Sequence, residues 1–337
     1  MAPVVGTREL SRPAVVALQT LAIAACYFAA GRLGLMRRLT VEGAVFTPIW
    51  PPSGVAVAAL LILGIRAGLG IALGALLVVL SLSSFSSIQF SAVGIVAGNT
   101  AAPVCAWFLL RQVRFRPDLS RLRDGLALVF LGALASMTIS ATMDVGLLVV
   151  TDKLAPGDFW PVWLAWWVGD AMGVLIVTPV LLMLYAIRAP VGMARWKEVI
   201  ILLVGACVLV PLATHSTISM LFLVYPLLIW AALRFELPGS VLCALFASVM
   251  ATVAATDEVG PFARLSHTEV MVKLQAFNGS MALTALLLSA VITEQRNTRR
   301  SVERACQELV QVLEHLTAGN PPPGPGPPPA AGGDGRG

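Results

Sequence analysis

The sequence predicts an all-α, polytopic transmembrane helical bundle of about eight to ten membrane helices, with both termini cytoplasmic. Three observations predict it. Of 337 residues, 58% are hydrophobic and only 12% charged, with a mean hydropathy of +0.85, a balance foreign to soluble domains. Apolar runs recur that can cross a hydrocarbon core of roughly 30 Å as helices rising about 1.5 Å per residue. The Lys and Arg residues fall in short loops with an alternating bias, seventeen on one side and six on the other. Such a bias orients membrane proteins with the basic loops inside.

Taken in order, the apolar segments run over about Ala14–Met36, Phe46–Leu63, Gly68–Leu82, Ile88–Leu110, Gly125–Val150, Trp160–Ile187, Val199–Thr214, Ile218–Leu233, Gly239–Ala255 and Val270–Ile292. Several are short for a full crossing, so eight spans stand as the alternative to ten. Arg8 and Arg12 precede the first run, but no small-residue cleavage site follows it, and it reads as a membrane helix that stays. The basic loop Arg111–Arg123 lies inside on the ten-segment count, while Arg37-Arg38 falls outside against the trend. The segments show no recognisable repeat. The expected organisation is a cytoplasmic N-terminus (1–13), a membrane domain (14–293), a cytoplasmic helix (294–318) and a Pro/Gly-rich tail (319–337) that cannot bury a core.

The sixth segment organises the rest. Trp160, Trp163, Trp166 and Trp167 crowd its first turns, and Asp170 interrupts the apolar run. Counted from Trp160, Asp170 lies about 15 Å down a helix, near the bilayer midplane. A carboxylate there costs about 2.5–3.5 kcal/mol on insertion scales. Trp163, Trp166, Trp167 and Asp170 share one helical face by their i, i+3, i+4, i+7 spacing. Gly169 and Gly173 make a small-xxx-small step where a neighbouring backbone can approach. Asn99 in the fourth segment and Asp144 in the fifth lie at outer-half to midplane depth. Trp50, Pro51 and Pro52 form a rigid, aromatic-capped start to the second segment. The candidate sensing residues are therefore Trp50, Pro51, Pro52, Asn99, Asp144, Trp163, Trp166, Trp167 and Asp170. The competing reading is an interfacial aromatic belt with separately hydrogen-bonded structural polar groups.

Catalysis is not expected. No G-x-S-x-G, H-E-x-x-H or P-loop pattern occurs. Four of the five cysteines, Cys26, Cys105, Cys207 and Cys243, lie in apolar segments and Cys306 in the polar helix, with no metal-ligand spacing or disulfide framework. His215, His267 and His315 form no metal motif. No cofactor and no nucleic-acid partner are implied, because the net charge of +5 is scattered among loops. The expected partners are the lipid bilayer, a second copy through 294–318, and a separate cytoplasmic or membrane signalling protein.

The stretches FTPIWPPSGVAVAALLILG, GNTAAPVCAWFLL, WPVWLAWWVGDAMGVLIVTPVLL, AALRFELPGS, GPFARLSHTEVMVKLQAF and ALLLSAVITEQR occur in an order that resembles the first membrane-associated sensor domain family. The similarity covers about Ala14 to Arg300, and the Trp-Pro-Pro and Trp-x-x-Gly-Asp-x-x-Gly stretches are its most distinctive parts. The resemblance implies a bacterial integral-membrane input module that usually precedes a histidine kinase or diguanylate cyclase. It names no general ligand. Where such an output domain is expected, this sequence has a short helix and the Pro/Gly tail.

The reading that results is a sensory input module of the inner membrane, passing an unknown signal to a cytoplasmic helix or partner. Two alternatives stand beside it: a transporter or channel using Asp144 and Asp170, and a truncated remnant of a sensor kinase.

Overall fold

A computed structural model describes residues 12–41, 44–82, 90–186, 196–216 and 218–317. The chain forms two compact units, Met1–Thr293 and Glu294–Gly337. The first is a helical bundle of α1 (Arg12–Gly34), α2 (Pro51–Leu63), α3 (Ala67–Leu82), α4 (Phe90–Gln112), α5 (Leu122–Ala127), α6 (Met137–Val150), α7 (Phe159–Ala186), α8 (Trp196–His215), α9 (Val224–Thr256) and the first half of α10 (His267–Thr317). A π-helical stretch, Leu128–Ala135, joins α5 to α6. Two three-residue strands that the hydropathy pattern did not predict, β1 (Leu39–Val41) and β2 (Ala44–Phe46), pair antiparallel after α1, Leu39 opposite Phe46.

Eight helical stretches among the described residues are long and apolar enough to cross a membrane. Two of them, Pro51–Leu82 and Leu221–Thr256, are hairpins rather than single crossings. In the first, Thr20 and Ile23 of α1 lie against Gly70 of α3, Tyr27 against Gly74, and Gly31 against Val78. The contact positions rise together along both chains, so α1 and α3 run the same way and α2 runs back between them. Gly31 also meets Pro52, which sets the start of α2 level with the end of α3. The reversal occupies Gly64–Arg66, where Gly64 takes φ +73°, a region that residues with a Cβ avoid.

The second hairpin is built alike. Gly260, just past α9, packs on Thr214 and His215 at the end of α8, where α9 also begins. Arg234, midway along α9, pairs with Glu198 at the start of α8. So α9 leaves the end of α8, reverses near Arg234 and returns. Glu236 marks the turn with φ 56° and ψ −138°, and Pro238 follows it, denying the ladder a donor. Among the described residues the packing thus gives ten helical passes through the bundle.

These directions sort the loops into two ends. Arg37 pairs with Asp257 at one end, which gives the exceptional Arg37-Arg38 step an acidic neighbour. The other end holds Arg66, the turn after α4, Arg234, and Thr293 within 3.4 Å of the Glu236 carboxylate. The order of long helix, tight hairpin, long helix occurs twice, as α1 to α4 and as α8 to α10. Both copies start at the same end. This likeness is one of helix order and direction alone.

Small residues draw the helices together. Ala231, Ala244, Ala247, Ala251 and Ala254 of α9 are all buried, and without a hydrophobic drive between helices such close approach is what holds a membrane bundle. At the start of α10 the Ser266 hydroxyl accepts from Glu269 N, and the Glu269 carboxylate accepts from Ser266 N at 2.8 Å, a reciprocal cap.

In the second unit the described side chains of residues 301–315 are exposed, Val302, Leu309 and Val312 among them. The Leu316 side chain, the tail from 318 and residues 1–11 lie outside the described residues.

Candidate functional site

The site is assembled around α7 by a short extended strap, Thr47–Trp50. Non-helical backbone at membrane depth survives only where protein surrounds it, and α7 supplies the surface. A Cβ at Gly169 would stand 2.5 Å from Thr47 O, and one at Gly173 only 1.9 Å from Trp50 O. The glycine step therefore receives an extended chain rather than a helix. Trp50 N donates to Gly169 O (2.9 Å), and Gln275 Nε2 of α10 donates to Pro48 O (2.8 Å). Pro51 and Pro52 then open α2 at positions where a helix needs no donor. One turn on, the Thr178 hydroxyl donates to Gly54 O (3.1 Å). The strap thereby fixes Ser53 against α7.

Ser53 Oγ donates to Asp170 Oδ1 at 2.6 Å. From the opposite side Ser140 Oγ of α6 donates to Asp170 Oδ2. Asp170 is 1% exposed, and both its oxygens are met by hydroxyls. One turn along α6 from Ser140 stands Asp144, 0% exposed. Asn99 Nδ2 donates to Asp144 Oδ2 (2.7 Å), while Asp144 Oδ1 has no hydrogen-bond partner. The fully buried Tyr27 hydroxyl reaches Asn99 Oδ1 at 3.4 Å. The Trp166 indole lies beside Asp144, and Trp50 beside Tyr27. Five helices, α1, α2, α4, α6 and α7, thus meet at two carboxylates that are close enough to influence each other.

The other tryptophans of α7 turn away from the carboxylates. Trp163 stacks on Trp167 with ring centroids 5.5 Å apart. Trp163 Nε1 donates to Thr142 Oγ1 (3.0 Å) and Trp167 Nε1 to Leu134 O (2.8 Å), a carbonyl in the π-helical stretch. Both indoles therefore turn toward α6. Trp160 does not join them there: it is 66% exposed and packs edge-on against Phe159 and Trp163.

Of the residues singled out from the sequence, Asn99, Asp144, Trp166 and Asp170 come together, with Trp50 at the rim through Tyr27. Pro51 and Pro52 act on the backbone. Ser53, Ser140 and Tyr27 were missed. A serine in an apolar run is unremarkable in a list, and its partner lies 117 or 30 residues away. The usable signal was the strap itself, since Ser53 follows Trp-Pro-Pro directly.

Every hydrogen bond to the two carboxylates comes from a neutral donor. Such a pair can take up or release a proton, or accept a ligand with donors to offer the free Asp144 oxygen. Among the described residues no group of three or more His, Cys, Asp or Glu side chains is placed to hold a metal ion.

The family model MASE1 matches residues 19–296. No curated protein and no solved structure matches the chain. The match runs from within α1 into α10 and takes in the whole carboxylate cluster, and the chain belongs to MASE1, a family of membrane-associated sensor domains.

Proposed function

We propose that this multi-pass membrane protein perceives its signal at the Asp144–Asp170 cluster and relays it along α10 to the helix that follows Thr293, or to a separate signalling partner. The membrane is the cell inner membrane, with the arginine-rich end toward the cytoplasm. One observation carries this reading: a fully buried carboxylate oxygen, Asp144 Oδ1, stands without a partner beside a second buried carboxylate. Retaining both charges among apolar helices costs insertion energy that neutral side chains would spare. Their enclosure supports sensing over transport, because at 0% and 1% exposure neither carboxylate lies on an open path.

The test is a chimera with a reporter output joined after Arg300. Asp144→Asn and Asp170→Asn keep the shape and remove the charge. Membrane levels equal to the parent, with the response lost or locked on, are expected for both. A full response from both variants would refute a sensing role for the cluster.

A further inference from the structure

Besides Asp144 Oδ1, five buried side-chain atoms among the described residues lack partners: Asp124 Oδ2 on α5, and four on α9 and α10. On α10, neither Nδ2 nor Oδ1 of Asn278 is hydrogen-bonded, and Gln275 Oε1 is unpaired. On the returning arm of α9, Ser248 Oγ is unpaired as well. Asn278 and Ser248 are 0% exposed. Buried carboxamides and hydroxyls in folded proteins nearly always find partners, so three such side chains need an explanation.

Helix packing and direction set them at neighbouring levels. Ala244 of α9 and Ala282 of α10 line a common narrow gap. The returning arm of α9 and α10 run in opposite directions, so one turn toward the outer end sets Ser248 level with Asn278. Gln275 follows one further turn along the same face of α10. Its Nε2 is committed to Pro48 O, which leaves Oε1 as an acceptor. Asn99 supplies a contrast. Asn99 stands in α4 much as Asn278 stands in α10, two to three turns from the start. Asn99 meets a carboxylate and a phenol; Asn278 meets neither.

Met172, near Gly279, and the residues lining the neighbouring gap carry no charge, and an ionic ligand there would be desolvated without compensation. We propose that Ser248, Gln275 and Asn278 form a second, uncharged site that binds a hydroxyl group, supplied by water or by the end of a small amphiphile. A hydroxyl both donates and accepts. It gives a proton to Gln275 Oε1 or Asn278 Oδ1, and takes one from Asn278 Nδ2 or Ser248. The bound group ties α10 to α9 independently of the carboxylate cluster.

Selective ¹⁵N-asparagine labelling tests this, because the chain has only Asn99, Asn278, Asn297 and Asn320. The full chain is placed in lipid nanodiscs, with and without 1-hexanol. The Asn278 side-chain amide is identified by its loss in Asn278→Gln, or by difference from variants at the other three asparagines. Magnetisation transfer from that amide to water identifies water as the source, and transfer to hexanol protons identifies an amphiphile. Transfer to neither overturns the site. Asn278→Leu gives a second readout: losing a bound hydroxyl lowers the thermal midpoint by a few degrees. A raised midpoint, as for a bare carboxamide replaced by an apolar side chain, overturns the proposal too.

Discussion

At the scale of single residues, the strap makes Gly173 the least replaceable position near the site. A methyl group there meets Trp50 O at 1.9 Å, and the obstacle is backbone that cannot swing aside. Gly173→Ala must push the strap off α7 and carry Ser53 away from Asp170, at an expected cost of about 1–3 kcal/mol or somewhat more. Gly146 on α6 is the control. Nothing lies within 4 Å of a Cβ there, so Gly146→Ala gains roughly 0.5–1 kcal/mol of helix propensity. Thermal unfolding in one detergent should therefore move in opposite directions for the two alanines. A shift of the same sign for both would contradict the strap's seat on α7. The serines carry a related prediction. Ser53→Ala or Ser140→Ala leaves a buried carboxylate oxygen without its hydroxyl, which costs about 1–3 kcal/mol each, read in the same unfolding assay.

At the scale of elements, the two hairpins decide which side every loop between Leu82 and Leu221 occupies. Were Pro51–Leu82 a single crossing, the loop Arg111–Arg123 would face outward and Lys153 inward. With α2 and α3 antiparallel the assignments reverse, and the five arginines of that loop lie inside, as the basic-residue rule expects. Reporter fusions after Arg123 and after Lys153 should score inside and outside respectively; the opposite pair of results would mean that α2 and α3 form one span. A long hydropathy window blurs this difference, although the separate apolar runs Phe46–Leu63 and Gly68–Leu82 already divide the two arms. A helix of 13 residues, α2, and one of 16, α3, join through three residues into a run whose average is as apolar as one long span. What marks the turn in the sequence is chemical: Gly64-Ile65-Arg66 in one hairpin, Arg234 to Pro238 in the other. The break between apolar runs and the charge pattern together carry the reversal. The short reach of α2 also explains the strap, since about 20 Å of helix does not span the core and extended chain covers the remainder.

At the scale of the whole molecule, the fold class was legible because it depends on counting along single helices. The hydroxyls that close on Asp170, and the unpaired set on α9 and α10, depend on which helices neighbour which, and no single segment encodes that. The helix beyond Thr293 is legible in the first sense. Val302, Ala305, Leu309, Val312 and Leu316 recur in the sequence at spacings of three and four, the a/d seam of a parallel coiled coil, and Val302, Leu309 and Val312 are 57%, 65% and 57% exposed in the single chain. A seam of about three heptads with an alanine knob is marginal in free solution. Two copies held in one membrane meet at a far higher effective concentration, which favours pairing. The competing placement lays the helix on the lipid headgroups through Arg296, Arg299, Arg300 and Arg304. Glu303, Glu308 and Glu314 oppose it, because anionic lipid repels them. Cysteine cross-linking in membranes separates the two, in a Cys306→Ser background because Cys306 is exposed on the same helix. Leu309→Cys, on the seam, should form an intermolecular disulfide readily, and Gln311→Cys, on the flank, should not. Equal yields at the two positions, or no product at either, would place the helix somewhere other than a dimer seam.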